Sequence, residues 1–134
     1  MTTAAKTSEQ VVKIANDLVE HCKSGTNDDT PLWDRHFADD FESVEADGMS
    51  FKGRAAVEAK HKQWNDDVTM HSVEVTGPFV GPSGFSVIFD MDVESRSGKF
   101  PRMQMREVAV YTVDGGKVVR EEFRSPPEMF ESGG

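Results

Sequence analysis

The chain has 134 residues, one domain's worth, with 37% apolar and 29% charged residues and 15 Lys plus Arg against 24 Asp plus Glu. A formal net charge of -9 opposes broad contact with nucleic acid or an anionic membrane, because either would repel the protein before a local patch could act. Cys22, the single cysteine, excludes an internal disulfide and a CxxC motif; no apolar run nears the ~18 residues of a membrane span, and residues 1–10 lack a secretory apolar core, so a cytoplasmic protein is expected.

From Ser8 to Lys23, Val11, Val12, Ile14, Ala15, Leu18, Val19 and Cys22 recur at spacings of three and four, which predicts an amphipathic helix capped by Ser8 and closed at Gly25. Asp29 or Thr30 is expected to cap a short second helix with Pro31 in its first turn and Leu32, Trp33, His36 and Phe37 toward the core. Residues Phe41 to Ala46 read as a strand, Asp47-Gly48 as a two-residue hairpin turn, and Met49 to Phe51 as the return. A third helix follows from Arg54 to about Asn65, with Ala56, Val57, Lys60, His61 and Trp64 on one face.

Beyond Val68 the period becomes strand-like. Four strands are predicted, at about Met70 to Val80, Phe85 to Ser95, Phe100 to Val113 and Lys117 to Arg124, joined by short turns that make neighbours antiparallel. Gly77-Pro78 should bulge the first of them and help curve the sheet. Helices first and antiparallel strands last is the α+β pattern, with the three N-terminal helices covering one face of a curved sheet. We expect a single domain over residues 1–134, its core at about 8–124 and its tail, 125–134, frayed.

The order of these elements, together with Phe37-Ala38-Asp39-Asp40, Lys52-Gly53-Arg54 and Asp114-Gly115-Gly116-Lys117-Val118, resembles the SnoaL-like branch of the nuclear-transport-factor-like (ketosteroid isomerase-like) superfamily over about residues 8 to 124. That resemblance implies a cone-shaped domain enclosing an apolar pocket, commonly a homodimer, a frame shared by steroid isomerases, polyketide cyclases, dehydratases, epoxide hydrolases and plain binding modules. By comparison with the isomerase, its carboxylate base falls on Glu45 and its hydrogen-bonding acid on Glu107. Three tyrosines of the isomerase correspond to Leu18, Phe37 and His61, so its phenol network is missing and Glu45, His61 and Glu107 form a different polar set. The epoxide hydrolases use an Arg between two Asp, and Asp90 and Asp92 bring no such spacing.

Strand alternation places Met103, Met105, Glu107, Ala109 and Tyr111 on the inner face, where desolvation would keep the Glu107 carboxyl protonated near neutrality. A base working beside a carbonyl needs a carboxylate or imidazole in a water-poor cavity, which Glu45 or His61 could supply. Leu18, Trp33, Phe37, Trp64, Met103 and Met105 are the expected apolar lining. Each residue also has a plainer reading: Glu45 solvated at a strand end, Glu107 paired across strands with Arg102, Arg106, Arg120 or Arg124, and His61 a satisfied core histidine.

The pairs Asp28-Asp29, Asp39-Asp40 and Asp66-Asp67 read as capping and solvated carboxylates rather than metal ligands, and no Gly-rich phosphate loop, GxSxG or HExxH occurs, so no metal and no cofactor are expected. On the outer face Val108 and Val110, with Ile88 beside them, suggest the homodimer interface. The expected function is binding of a hydrophobic or aromatic carbonyl-bearing small molecule, with isomerase, cyclase, dehydratase or hydrolase chemistry by acid and base alone. The alternative is a non-catalytic ligand-binding or dimerisation module with a filled cone.

Overall fold

The computed structural model describes residues 2–127, with side chains from residue 9 onward. In chain order the elements are α1 (Thr2–Lys23), α2 (Thr30–His36), β1 (Phe37–Val44), β2 (Ser50–Lys52), α3 (Arg54–Asp67), β3 (Val68–Gly81), β4 (Gly84–Ser95), β5 (Met103–Asp114) and β6 (Lys117–Arg124). None of these helices is long and apolar enough to cross a membrane. The architecture is the α+β cone, three helices against a six-stranded sheet ordered β2-β1-β6-β5-β4-β3.

α1 begins at Thr2, so Ser8 lies inside it rather than at its cap. Val11, Ile14, Ala15, Leu18 and Val19 are buried along its stripe, whereas Val12 is 42% exposed on the opposite side. Asp29 precedes α2 without capping it through its side chain, because its carboxylate is taken by His21 Nε2 at 3.0 Å. Phe37 opens β1 instead of closing α2; the expected strand start at Phe41 is thus four residues late, and a register break between Phe37 and Glu42 absorbs the exposed Asp39 and Asp40. The β1–β2 turn spans three residues, not two, since Glu45 and Met49 still pair (Glu45 N to Met49 O, 2.8 Å) around Ala46, Asp47 and Gly48. Gly48 takes φ +90° there, a conformation that disfavours any side chain.

Neighbours are antiparallel except β1 and β6, which run parallel, correcting the expectation of a wholly antiparallel sheet. Most of the chain separates these two strands, so no tight turn dictates their sense. β3 carries register breaks between Met70 and Ser72 and between Thr76 and Phe79, the second at the expected Gly77-Pro78. A Cβ at Gly84 would collide with the Tyr111 backbone oxygen, so this glycine lets β4 approach β5 at the wall that presents Tyr111. The tail expected to fray falls largely on residues 128–134, outside those described.

The main core joins α1 and α2 to the inner sheet face: Val11, Leu18, Phe41, Val57, Val87 and Val118 are wholly buried, each contributing about 1.5–3 kcal/mol of apolar burial. A smaller cluster of Val68, Met91 and Val93 closes the far end of the sheet. Between these two clusters the helices and the sheet leave a cavity.

Candidate active site

The cavity has a volume of about 540 Å³, within the range of small-molecule sites. Leu18 of α1, Trp33 of α2, Phe37 of β1, Phe89 of β4 and Phe123 of β6 form much of its apolar wall. Trp64 of α3, 36% exposed, also lines it and stacks on Phe100 with ring centroids 6.4 Å apart. Met103 and Met105 do not line it. They share the inner face with Glu107 but pack against the Val68-Met91-Val93 cluster, whose Val68 and Met91 border the cavity in their place. Alternation identifies the face of a strand but not which of its side chains border a void.

The structure brings Glu45, His61 and Glu107 to this cavity. Glu45 follows β1, its backbone held by the pairing with Met49 and its carboxylate in an ion pair with Lys60 Nζ at 2.8 Å. Lys60, one helical position before His61, has only 11% of its side chain exposed and lies over Phe51 and Phe123, at 5.2 and 5.1 Å from their ring centroids. Its amine also donates to Ser43 Oγ at 2.5 Å.

Glu107 is reached by neither arginine nor lysine. Arg102 and Arg106 pair with Asp92 and Asp90 on the outer face, and Arg120 and Arg124 with Glu42 and Glu122, which leaves Glu107 without a salt-bridge or hydrogen-bond partner among the described residues. Burial against Phe89 and its neighbours, reinforced by the negative charge of Glu45, pushes its carboxyl up to about 7. His61 stands edge-on to Trp33, with centroids 5.2 Å apart, and its Nδ1 lies 3.6 Å from Asp29 Oδ2. Burial holds its pKa below the usual imidazole value while Asp29 pulls the other way, so the ring is neutral at pH 7 and able to take a proton.

One carboxylate escaped the sequence reading. Glu121 of β6 lines the cavity, is 4% exposed, and accepts a hydrogen bond from Ser43 Oγ at 2.7 Å; burial raises it to about 7 against that bond and the charge of Lys60. The parallel register of β1 on β6 sets Ser43 directly beside Glu121. Strict alternation from the buried Val118 would aim Arg120 inward and Glu121 outward, but a register break in the β5–β6 ladder reverses this, and Glu121 faces Tyr111. Tyr111 restores a phenol to the wall from β5, although Leu18, Phe37 and His61 leave none on α1, β1 or α3. Cys22, expected in the core, also borders the cavity, its thiol pushed up to about 12 by burial. Among the described residues no group of three His, Cys, Asp or Glu side chains could hold a metal ion.

An apolar cavity with one carboxyl beside an ammonium and two that hold protons near neutrality can both remove and donate a proton. The same frame recurs in solved structures. A proposed SnoaL-like polyketide cyclase from Mesorhizobium loti is 32% identical, covers 84% of this chain and 97% of its own, and superposes with a TM-score of 0.76. A proposed polyketide cyclase from Xanthomonas campestris (14% identity, 94% and 97% coverage, TM-score 0.66) and a ketosteroid isomerase-like protein from Catenulispora acidiphila in complex with trimethylamine (13%, 72% and 74%, TM-score 0.56) share the fold. No curated protein matches. The SnoaL-like domain model covers residues 7–124, and the chain belongs to the SnoaL-like domain family.

Proposed function

We propose that the protein binds a hydrophobic or aromatic carbonyl-bearing molecule in this cavity and transforms it by acid–base chemistry without a cofactor, in the manner of an isomerase, cyclase, dehydratase or hydrolase. The observation that carries the reading is Glu107: a carboxyl with no partner among the described residues, lining an apolar cavity and titrating at about 7. Its protonated form donates a hydrogen bond to the ligand's carbonyl oxygen and, as negative charge gathers there, stabilises it more than water would. Glu45, ion-paired with Lys60, removes the adjacent proton, and neutral His61 is the second candidate base on the α3 wall. A non-catalytic module would have both carboxylates solvated or paired with arginine, and Glu107, raised by burial and paired with no arginine, is what argues against it.

A thermal-shift screen of hydrophobic ketones, steroids, aromatic polyketide mimics and fatty acids tests this. Expected is a stabilising ligand whose shift changes in Glu45→Gln and Glu107→Gln, since stabilisation tracks ligand concentration over its dissociation constant. A screen without any hit, with all three proteins melting alike, defeats the reading. The working form is taken to be a cytoplasmic homodimer joined through half-buried Val108 and Val110 on the outer face, which light scattering checks as twice the 14.9 kDa chain mass.

A further inference from the structure

Four polar side chains form one unbroken chain beside the cavity. Glu45 Oε1 meets Lys60 Nζ at 2.8 Å, Lys60 Nζ donates to Ser43 Oγ at 2.5 Å, and Ser43 Oγ donates to Glu121 Oε2 at 2.7 Å. The chain runs inward: the Glu45 side chain is 34% exposed, that of Lys60 11%, and Ser43 not at all. Phe51 and Phe123 flank the ammonium, their ring centroids 5.2 and 5.1 Å from it. Both end groups line the cavity, as does Lys60, whereas Ser43 does not line it and its hydroxyl bonds to Lys60 and Glu121. A buried serine whose hydroxyl takes a bond from an ammonium and gives one to a buried carboxylate does more than satisfy a core. It links the two carboxyls.

Resting on the acid–base reading above, we propose that Glu45, Lys60, Ser43 and Glu121 are a proton relay, which carries the proton that Glu45 takes from the ligand to Glu121 for return at a second position of the same ligand. The hydrogens balance. Glu45 takes a proton from the ligand; Lys60 accepts it while passing one of its own to Ser43 Oγ; the Ser43 hydroxyl proton moves to the Glu121 carboxylate. Glu45 is then again a carboxylate, Lys60 an ammonium, Ser43 a hydroxyl and Glu121 a carboxylic acid. Glu121 gives its proton to the ligand and the chain is restored. The ligand class this fits is an enolisable ketone that loses a proton at one atom and gains one at another, with no net consumption of acid or base. Lys60 and Ser43 are positioning residues here; Glu45 and Glu121 meet the ligand.

The charges facing Glu121 come from every side: Glu45 beside β1, Lys60 of α3, Asp29 before α2, Glu107 and Tyr111 of β5, and Cys22 of α1. It titrates at about 7 among them, so it can change protonation within the working range.

The test follows loss of the α-hydrogens of 2-tetralone, a bicyclic aryl ketone, in D2O by NMR, with Glu45→Gln as background. Expected is exchange well above that background, lowered about tenfold or more by Ser43→Ala and by Glu121→Gln, because a proton stranded on Glu45 returns to the carbon it left. The double variant should be no slower than either single one, as for links of one chain, and Ser43→Thr should recover part of the rate. Undiminished exchange in Ser43→Ala, or losses that multiply in the double variant, overturns the relay while leaving the acid–base reading intact. No exchange above background defeats the acid–base reading for this ketone, and the free protein then decides the relay. There, the side-chain carboxyl ¹³C signal of Glu121 should titrate between about pH 5 and about pH 9 and its midpoint should rise in Ser43→Ala, which removes a bond to the carboxylate. A signal that does not titrate, or an unmoved midpoint, overturns it. Thermal midpoints of each variant separate misfolding from loss of the link, and Lys60→Arg, which keeps the charge, serves as the second variant should Ser43→Ala not fold.

Discussion

Asp90 on β4 and Glu107 on β5 are next-door positions of one antiparallel ladder, since Phe89 pairs with Glu107 and Asp90 with Arg106, yet they live in opposite chemical conditions. On the outer face Asp90 and Asp92 are each held bidentately by an arginine, at 2.7 and 3.0 Å and at 3.0 and 2.8 Å, and hydrogen bonds from those guanidiniums keep both carboxylates below their usual range. On the inner face Glu107 and Glu121 face an apolar cavity whose ammonium, Lys60, pairs with Glu45, and both rise to about 7. The difference teaches that strand parity assigns a carboxyl its chemistry here: one face buys charge balance with arginine, and the other leaves protons available.

The sharpest way to break this contrast is to remove the inner cation. Lys60→Met leaves Glu45 and the Ser43-bound Glu121 without their ammonium, and a loss of about 2–4 kcal/mol is expected at pH 8, measured by urea unfolding. The loss should shrink toward pH 5, below the raised values of Glu107 and Glu121. An unchanged stability at pH 8 would show that Lys60 does not hold the inner face together.

Next in size is the pH dependence. Glu107 and Glu121 sit near 4.5 in the unfolded chain and near 7 in the folded protein, so the folded state binds their protons more tightly. Their contribution is fully present below about pH 4.5 and is lost as pH rises toward 7, which predicts a thermal midpoint several degrees higher at pH 5.5 than at pH 8. His61, lowered on folding, opposes this, because its contribution is lost as pH falls through the imidazole range. Glu107→Gln should therefore stabilise the protein at pH 8 by about 1–2 kcal/mol and flatten the profile. A midpoint that climbs steadily from pH 5.5 to pH 8 would contradict the inner-face assignment.

The smallest effect belongs to the outer face. Asp92→Asn opens one solvated pair and should move the thermal midpoint by no more than about 1 °C at physiological salt, consistent with the low worth of exposed ion pairs. A drop comparable to that of Lys60→Met would erase the distinction between the two faces.

Much of the fold was legible because it is local. β6 occupies the predicted Lys117 to Arg124, and α3 starts at the predicted Arg54, since periodicity and turn chemistry act over a few residues. Glu45, His61 and Glu107, which the resemblance singles out, line the cavity. Glu121, Ser43 and the role of Lys60 were not legible, because they depend on a parallel pairing between strands far apart in sequence and on a register break that reverses the facing of residues 120 and 121.

The amino-acid sequence by itself determined the order of helices and strands, the domain class, and the inner facing of Glu107, all of which follow from repeats of 3.6 and 2 residues that any short window displays. Tertiary structure alone decided that Met103 and Met105 pack beside the cavity without lining it, that arginine goes to Asp90 and Asp92 rather than to Glu107, and that Glu121 joins Glu45 through Ser43 and Lys60. Those outcomes depend on register, on bulges and on which charges meet across the sheet. Such long-range pairings are settled by packing rather than by the residues on either side.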